Sequence, residues 1–185
     1  MNDIREAKAI PDGNKISFDK HGEYTIEKVL GYGGSGIVYK GLMEEQQIPV
    51  IIKEFFPLAL ADYIERRDDD ENWRLVIQTH VPVVDECGTE VILEKEFNAA
   101  LDLFKTGCKR HNELYRSDPN RTVTPWKPFE GNGTAYSVME FKEGISLDKN
   151  MEERSLSDVV EIMQSLAKVI ESYHAQDYIH LDIKP

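Results

Sequence analysis

Three groups of residues in this sequence have the types and spacing that chemistry needs. The first is the closing run "HLDIKP", His180 to Pro185, which sets an acid and a base two positions apart just past a helical stretch. Side chains two apart on an extended segment share a side. Asp182 could therefore accept a proton from an attacking hydroxyl while Lys184 neutralises a transferring phosphoryl group. Taken alone, the same run also reads as a turn after a helix. The second group centres on Lys53 in "PVIIKEFF", a cation in an apolar strand that needs a phosphate or a carboxylate to offset its burial. Glu96 falls with Leu93, Ala100 and Leu103 on one helical stripe and is the candidate acid, with Glu94 as runner-up. The plain alternative is a lysine that snorkels from an edge strand and a surface glutamate. The third group is "LGYGGSGIVYK", where Gly31, Gly33 and Gly36 form a G-x-G-x-x-G pattern. Ile37, Val38 and Tyr39 follow it and favour a strand, so the geometry is strand, glycine loop, strand rather than the strand, loop, helix of a dinucleotide site. Without Cβ atoms such a loop can lie close over phosphates, or it can be an ordinary glycine-rich hairpin turn.

The elements that must position these groups follow from the local patterns. "EYTIEKVLG" and "GIVYKGL" read as strands on either side of the glycines, and "IPVIIKEFF" as a third, buried strand. Residues 57 to 90 are less regular. "RRDDDEN" reads as a solvated loop and "RLVIQTHVPVV" as an additional strand or hairpin. From about Val91 to Arg116 the pattern is helical, and "VTPWKPFE" and "TAYSVMEF" read as a hairpin across "GNG". Ser157 is the expected cap of a last helix running to about Gln176, with Val159, Ile162, Met163, Leu166, Val169, Ile170 and Tyr173 as its apolar stripe. The fold class is α+β.

Composition narrows the function classes. With 185 residues and 41% hydrophobic content the chain can bury a sizeable core, and a net charge of −12 without a Lys/Arg cluster excludes a nucleic-acid backbone binder. Cys87 and Cys108 match neither a zinc spacing nor a disulfide framework, so no metal site is expected and a reducing compartment is. No membrane segment or leader is evident, and the sequence reads as cytoplasmic.

On "LGYGGSGIVY", "VIIKEFFP", "NGTAYSVMEFKEGISL" and "HLDIKP" the sequence resembles the eukaryotic-like protein kinases, most nearly the bacterial serine/threonine kinases, over about Ile10 to Pro185. The resemblance implies an extension over residues 1–20, then an N-lobe over 21–141 with five antiparallel strands and helix C, interrupted by the irregular insertion at 57–90. The hinge and a partial C-lobe ending in the catalytic loop would occupy 142–185. It further implies that Gly31, Gly33 and Gly36 cover the phosphates and that Leu30 and Val38 roof the adenine. Lys53 would hold the α- and β-phosphates and pair with Glu96, while Met139 is the gatekeeper. The Glu140 carbonyl and the Lys142 N–H would meet the adenine edge. Asp182 would be the catalytic base and Lys184 its partner at the γ-phosphate. The implied cofactors are ATP and Mg2+, and the implied partner is a protein substrate phosphorylated on serine or threonine.

Departures from the family pattern carry expectations of their own. Ile51 stands where the family has the alanine of V-A-I-K, Ser35 where a loop-tip aromatic is frequent, Leu181 where H-R-D has arginine, and Ala100 where a leucine often anchors helix C. Lacking that arginine, the chain should not use the family's charge-driven activation-loop switch. The metal-binding asparagine and D-F-G would follow the position of Pro185, so the sequence reads as a fragment that does not itself transfer phosphate efficiently. Its last helix should expose a face open to self-association. Three functions remain open at this point: a serine/threonine kinase in full-length form, a pseudokinase acting as a nucleotide-binding or protein-interaction module, and a small-molecule kinase.

Overall fold

β-branched and aromatic residues on either side of the glycines build the sheet that their pattern predicts. The computed structural model describes the chain apart from residues 1–2, 19, 69–72, 80–81, 85, 121, 127, 146, 151–153, 181–182 and 184–185. The strands of the main sheet are β1 (Lys15–Phe18), β2 (Gly22–Gly33), β3 (Gly36–Met43) and β4 (Ile48–Phe55). Two further ladders come from β5 (Ile64–Arg67) with β6 (Arg74–Ile77), and from β7 (Val83–Val84) with β8 (Glu90–Val91). Helix α1 (Leu93–Ser117) is followed by β9 (Phe129–Gly131) and β10 (Thr134–Glu140), and α2 (Leu156–His174) comes last. Among the described residues no helix is long and apolar enough to cross a membrane.

The main sheet has six antiparallel strands in the order β1-β2-β3-β4-β10-β9. Five of them are those the sequence led us to expect; the sixth, β1, comes from the segment read as an extension and pairs with β2 at the edge. The glycine pattern closes a two-residue hairpin, because Gly33 and Gly36 are paired and only Gly34 and Ser35 turn. The expected hairpin across "GNG" forms through Asn132 and Gly133, both with positive φ (52° and 73°), the geometry that matches strand twist in a two-residue turn.

Strand register sorts side chains to two faces. Tyr39, Ile52, Glu54 and Tyr136 lie on one; Val38, Lys53, Phe55 and Ser137 lie on the other. The first face is covered by the N-terminal segment and by the 57–77 region. That region is more regular than its sequence suggests, a 3-10 helix (Leu58–Tyr63) leading into the β5–β6 hairpin, with Ile10, Ala61, Ile64 and Leu75 buried on the sheet. The second face receives α1, whose Phe97 meets Phe55 edge-to-face and whose Phe104 meets it at a tilt, at centroid distances of 5.1 and 5.4 Å. The sheet curls until its edges meet. Phe18 of β1 lies 4.6 Å from Phe129 of β9, and Gly131 has no room for a Cβ, which would stand 2.7 Å from the Phe18 ring.

The chain separates into two compact units, Met1–Asn112 with Thr124–Phe141 and Glu113–Val123 with Lys142–Pro185. In the second, α2 begins earlier than its sequence suggested. Its cap is Ser155 rather than Ser157, because Asp158 completes a reciprocal capping box: the Asp158 N–H donates to Ser155 Oγ at 3.2 Å and the Asp158 carboxylate accepts the Ser155 N–H at 2.9 Å. None of the α2 residues is fully buried, and Leu156, Val160 and Met163 are exposed.

Candidate functional site

Lys53 occupies the middle of β4, between Ile52 and Glu54, which face the buried side of the sheet. Pleating therefore turns Lys53 to the opposite face, where it pairs in register with Val38 of β3 and Ser137 of β10. A cavity of about 440 Å³ opens there, lined among others by Gly34, Ser35, Lys53, Phe104, Ser137 and Met139. The structure thus brings the glycine hairpin, the lysine and Met139 to one concave site, of a volume suited to a small ligand. Leu30 is 45% exposed and Val38 half-buried, so both keep apolar surface to offer.

The glycines divide into two kinds. A Cβ on Gly36 would stand 2.1 Å from the Glu54 carbonyl oxygen, so this glycine serves the packing of β3 on β4. Around Gly31 a Cβ would meet nothing within 4 Å, and at Gly33 only the Gly36 carbonyl at 3.9 Å. The fold does not require those two to be glycine, and no Cβ there keeps a ligand from close approach.

The acid expected to pair with Lys53 is not opposite it. Glu96 is exposed, as is Glu94, and among the described residues neither makes an ion pair with Lys53. The helix stripe is rotated from the one proposed. Leu93, Phe97, Leu101 and Phe104 are buried, while Leu103, placed on the inner face from sequence, is 74% exposed although it lines the Lys53 cavity together with Ala100. Both stripes obey helical spacing, and the larger apolar side chains decide between them by burying more area. Ala100 and Phe104 line the cavity, and the Lys53 ammonium lies 5.7 Å from the centre of the Phe104 ring. Cys108 lines the same cavity. Burial pushes its thiol above the ordinary value, against the opposing hydrogen bond donated by Ser137 and the Lys53 charge, which favours the neutral thiol.

At the end of β10, Glu140 is half-buried. Its N–H donates to the Thr124 carbonyl at 3.0 Å and its carboxylate accepts from Thr124 Oγ1 at 3.0 Å. Lys142 is exposed in the second unit. Asp182 and Lys184, with Leu181, lie outside the described residues.

Sequence reasoning missed Arg5. It is 1% exposed, and Nη1 donates to the carbonyls of Gly33 (2.7 Å), Gly36 (3.4 Å) and Phe56 (2.9 Å). Nε and Nη2 bind the Asp3 carboxylate at 2.9 and 2.8 Å. The one available signal was the Asp3-x-Arg5 spacing, which has no meaning until the fold supplies the carbonyls. Also unforeseen is the buried cluster behind Lys53, in which the Glu54 carboxylate accepts two bonds from Arg66 at 2.7 Å, one from Tyr39 at 2.8 Å and one from Tyr136 at 3.1 Å.

The antiparallel sheet with its glycine hairpin between β2 and β3, the lysine on β4 and the helix that follows together define the protein kinase fold, from its first lobe into the start of its second. No family model and no curated protein matches the sequence. Among solved structures, the apo form of PpkA-294 is 24% identical with a TM-score of 0.69, covering 96% of this chain and 56% of its own. The kinase domain of M. tuberculosis PknI is 17% identical with a TM-score of 0.54, covering 96% of this chain and 55% of its own; a single-substitution mutant of that domain is 19% identical at the same TM-score. The chain thus spans little more than half the length of the structures it resembles, and the likeness defines its fold.

Proposed function

We propose that the chain is the nucleotide-holding part of an ATP-dependent protein kinase acting on serine or threonine. The observation that carries this reading is the placement of Lys53 on the cavity side of β4, beside a glycine hairpin whose Gly31 and Gly33 are free of packing demands. A triphosphate fits these residues. Bare backbone allows close approach, the Lys53 ammonium offsets phosphate charge, and Met139 offers an aromatic base apolar contact, while Leu30 and Val38, outside the cavity lining, are the residues that the family's arrangement sets over the base. When bound, ATP supplies the transferable phosphoryl group. In the family's arrangement Asp182 takes the proton of the acceptor hydroxyl and Lys184 steadies the transferring group, while the Mg2+ ligands follow the position matched by Pro185.

A second reading, a nucleotide-binding module without transfer, draws support from α1. Ala100 and Phe104 line the Lys53 cavity, the Lys53 ammonium lies 5.7 Å from the Phe104 ring centre, and Glu96 is exposed. Titration of a fluorescent ATP analogue with Mg2+ tests what the two readings share. Lys53→Met should weaken binding by roughly 10- to 100-fold, the worth of a charged hydrogen bond, with no change in melting temperature. Equal affinity in the variant would remove Lys53 from the site. Radiolabel transfer from ATP to a protein acceptor by the full-length protein then separates kinase from module.

A further inference from the structure

Every carbonyl oxygen of the glycine turn is held from behind. Gly33 and Gly36 accept from Arg5 Nη1 at 2.7 and 3.4 Å, Ser35 accepts the Phe56 N–H at 3.1 Å, and Gly34 accepts the Leu58 N–H at 3.0 Å. Arg5 also reaches the Phe56 carbonyl at 2.9 Å, so one guanidinium joins the two ends of the turn to the segment leaving β4. The Asp3 carboxylate fixes that guanidinium with a two-point ion pair, and the Tyr32 ring lies 5.6 Å from it. The rest of the segment is anchored independently. Lys8 Nζ donates to the carbonyls of Ala61 (2.6 Å) and Ile64 (2.8 Å), and the Ile10 N–H donates to the Tyr39 hydroxyl at 3.2 Å.

We propose that Asp3 and Arg5 form a clasp on the glycine hairpin, with Arg5 as a positioning residue that sets the hairpin's conformation over the Lys53 cavity and thereby the affinity for nucleotide. Two physical effects act together. A hairpin already fixed has less conformational freedom to lose when a ligand binds. Carbonyl oxygens tied back by Arg5 and by the 56–58 backbone are also kept from turning toward an anionic phosphate, which they would repel. Arg5 is not among the residues lining the cavity, so its effect reaches the ligand through the hairpin. The affinity part of the proposal rests on the nucleotide reading of the cavity; the clasp itself does not.

The test uses the 185-residue chain and two readouts. Amide hydrogen exchange without ligand should show residues 33–37 opening roughly 5- to 30-fold more often in Arg5→Ala, the effect of one or two lost hydrogen bonds, and less so in the milder Asp3→Asn. Titration with ATPγS and Mg2+ should show a rise in dissociation constant in the same order of variants. Lys8→Met is the structural control, since it removes an anchor of the same segment without touching the hairpin. It should lower melting temperature while leaving hairpin exchange and affinity near wild type. Unchanged exchange at 33–37 in both clasp variants, or equal effects of Arg5→Ala and Lys8→Met, would overturn the clasp. Tighter or equal ATPγS binding in Arg5→Ala would overturn its role in affinity. If wild type ignores ATPγS, the nucleotide reading fails with that role, and exchange still decides whether the clasp exists.

Discussion

A Cβ at position 36 would stand 2.1 Å from the Glu54 carbonyl oxygen, whereas one at position 31 would meet nothing within 4 Å. The two glycines of one motif should therefore respond differently to the same change. Gly36→Ala must push β3 from β4 and should destabilise by about 2 kcal/mol, in the range of overpacked cores. Gly31→Ala should stay within about 0.5 kcal/mol of wild type and show its effect only as weaker nucleotide binding. Urea unfolding beside a ligand titration separates the two. Asp3 gives a pH prediction at the same scale. Its side-chain bond from Arg5 holds the carboxyl down at about 2 against an ordinary 3.8. A pKa lower in the folded state means that the stabilisation is complete above the ordinary value and disappears as pH falls through the folded one. The melting-temperature gap between wild type and Asp3→Asn should be constant at neutral pH and close as pH drops below 4 toward 2. The glycines and Lys53 were legible in the sequence because their chemistry is unusual for a strand and its turn. Arg5 was not, since its partners are backbone carbonyls that any sequence possesses.

At the level of elements, α1 shows how a helical period can be read correctly and its buried face only in part. Positions 93, 96, 100 and 103 and positions 93, 97, 101 and 104 both satisfy the spacing, and the heavier set, Leu93, Phe97, Leu101 and Phe104, is the one buried. Weighing side-chain area along each stripe would have chosen the second. The consequence is testable by unfolding. Phe97→Ala, which removes a ring packed edge-to-face 5.1 Å from Phe55, should destabilise by about 3–5 kcal/mol, while Glu96→Ala should stay within about 0.5 kcal/mol. The reverse ranking would restore Glu96 to the inner face and with it the expected pair to Lys53. Strand elements were more legible than this helix. The β4 and β10 runs are apolar enough to be strands on either face, and positive-φ Asn132 and Gly133 fix the turn between β9 and β10. The β5–β6 hairpin was less so, because its alternation is short and flanked by the charged run from Arg66 to Glu71.

Over the larger compact unit as a whole, one buried charge pair links segments distant in sequence. Glu54 is 0% exposed at the centre of the sheet, and Arg66, 6% exposed on β5, meets it with two 2.7 Å bonds. Arg66 also donates from Nε to the Lys8 carbonyl at 2.9 Å and from Nη1 to the Trp73 carbonyl at 2.7 Å, so the N-terminal segment, the β5–β6 hairpin and the sheet share one side chain. Hydroxyls of Tyr39 and Tyr136 complete the carboxylate's shell. Burial first, and then the Glu54 charge, raise both phenols well above their ordinary value, so they remain donors across the working pH range. Arg66→Met leaves a carboxylate and two carbonyls without their cation and should destabilise by about 3–5 kcal/mol. Replacing a buried pair with apolar groups is often neutral, yet Glu54→Leu with Arg66→Met should recover only part of that loss. The Tyr39 and Tyr136 hydroxyls would be left without an acceptor, at about 1–3 kcal/mol each. Adding Tyr136→Phe to the double variant should therefore stabilise it, although the same change alone destabilises wild type. A Tyr136→Phe effect of the same sign in both backgrounds, measured by urea unfolding, would show that the hydroxyl's partner is not Glu54 and that the pair does not organise the cluster around it.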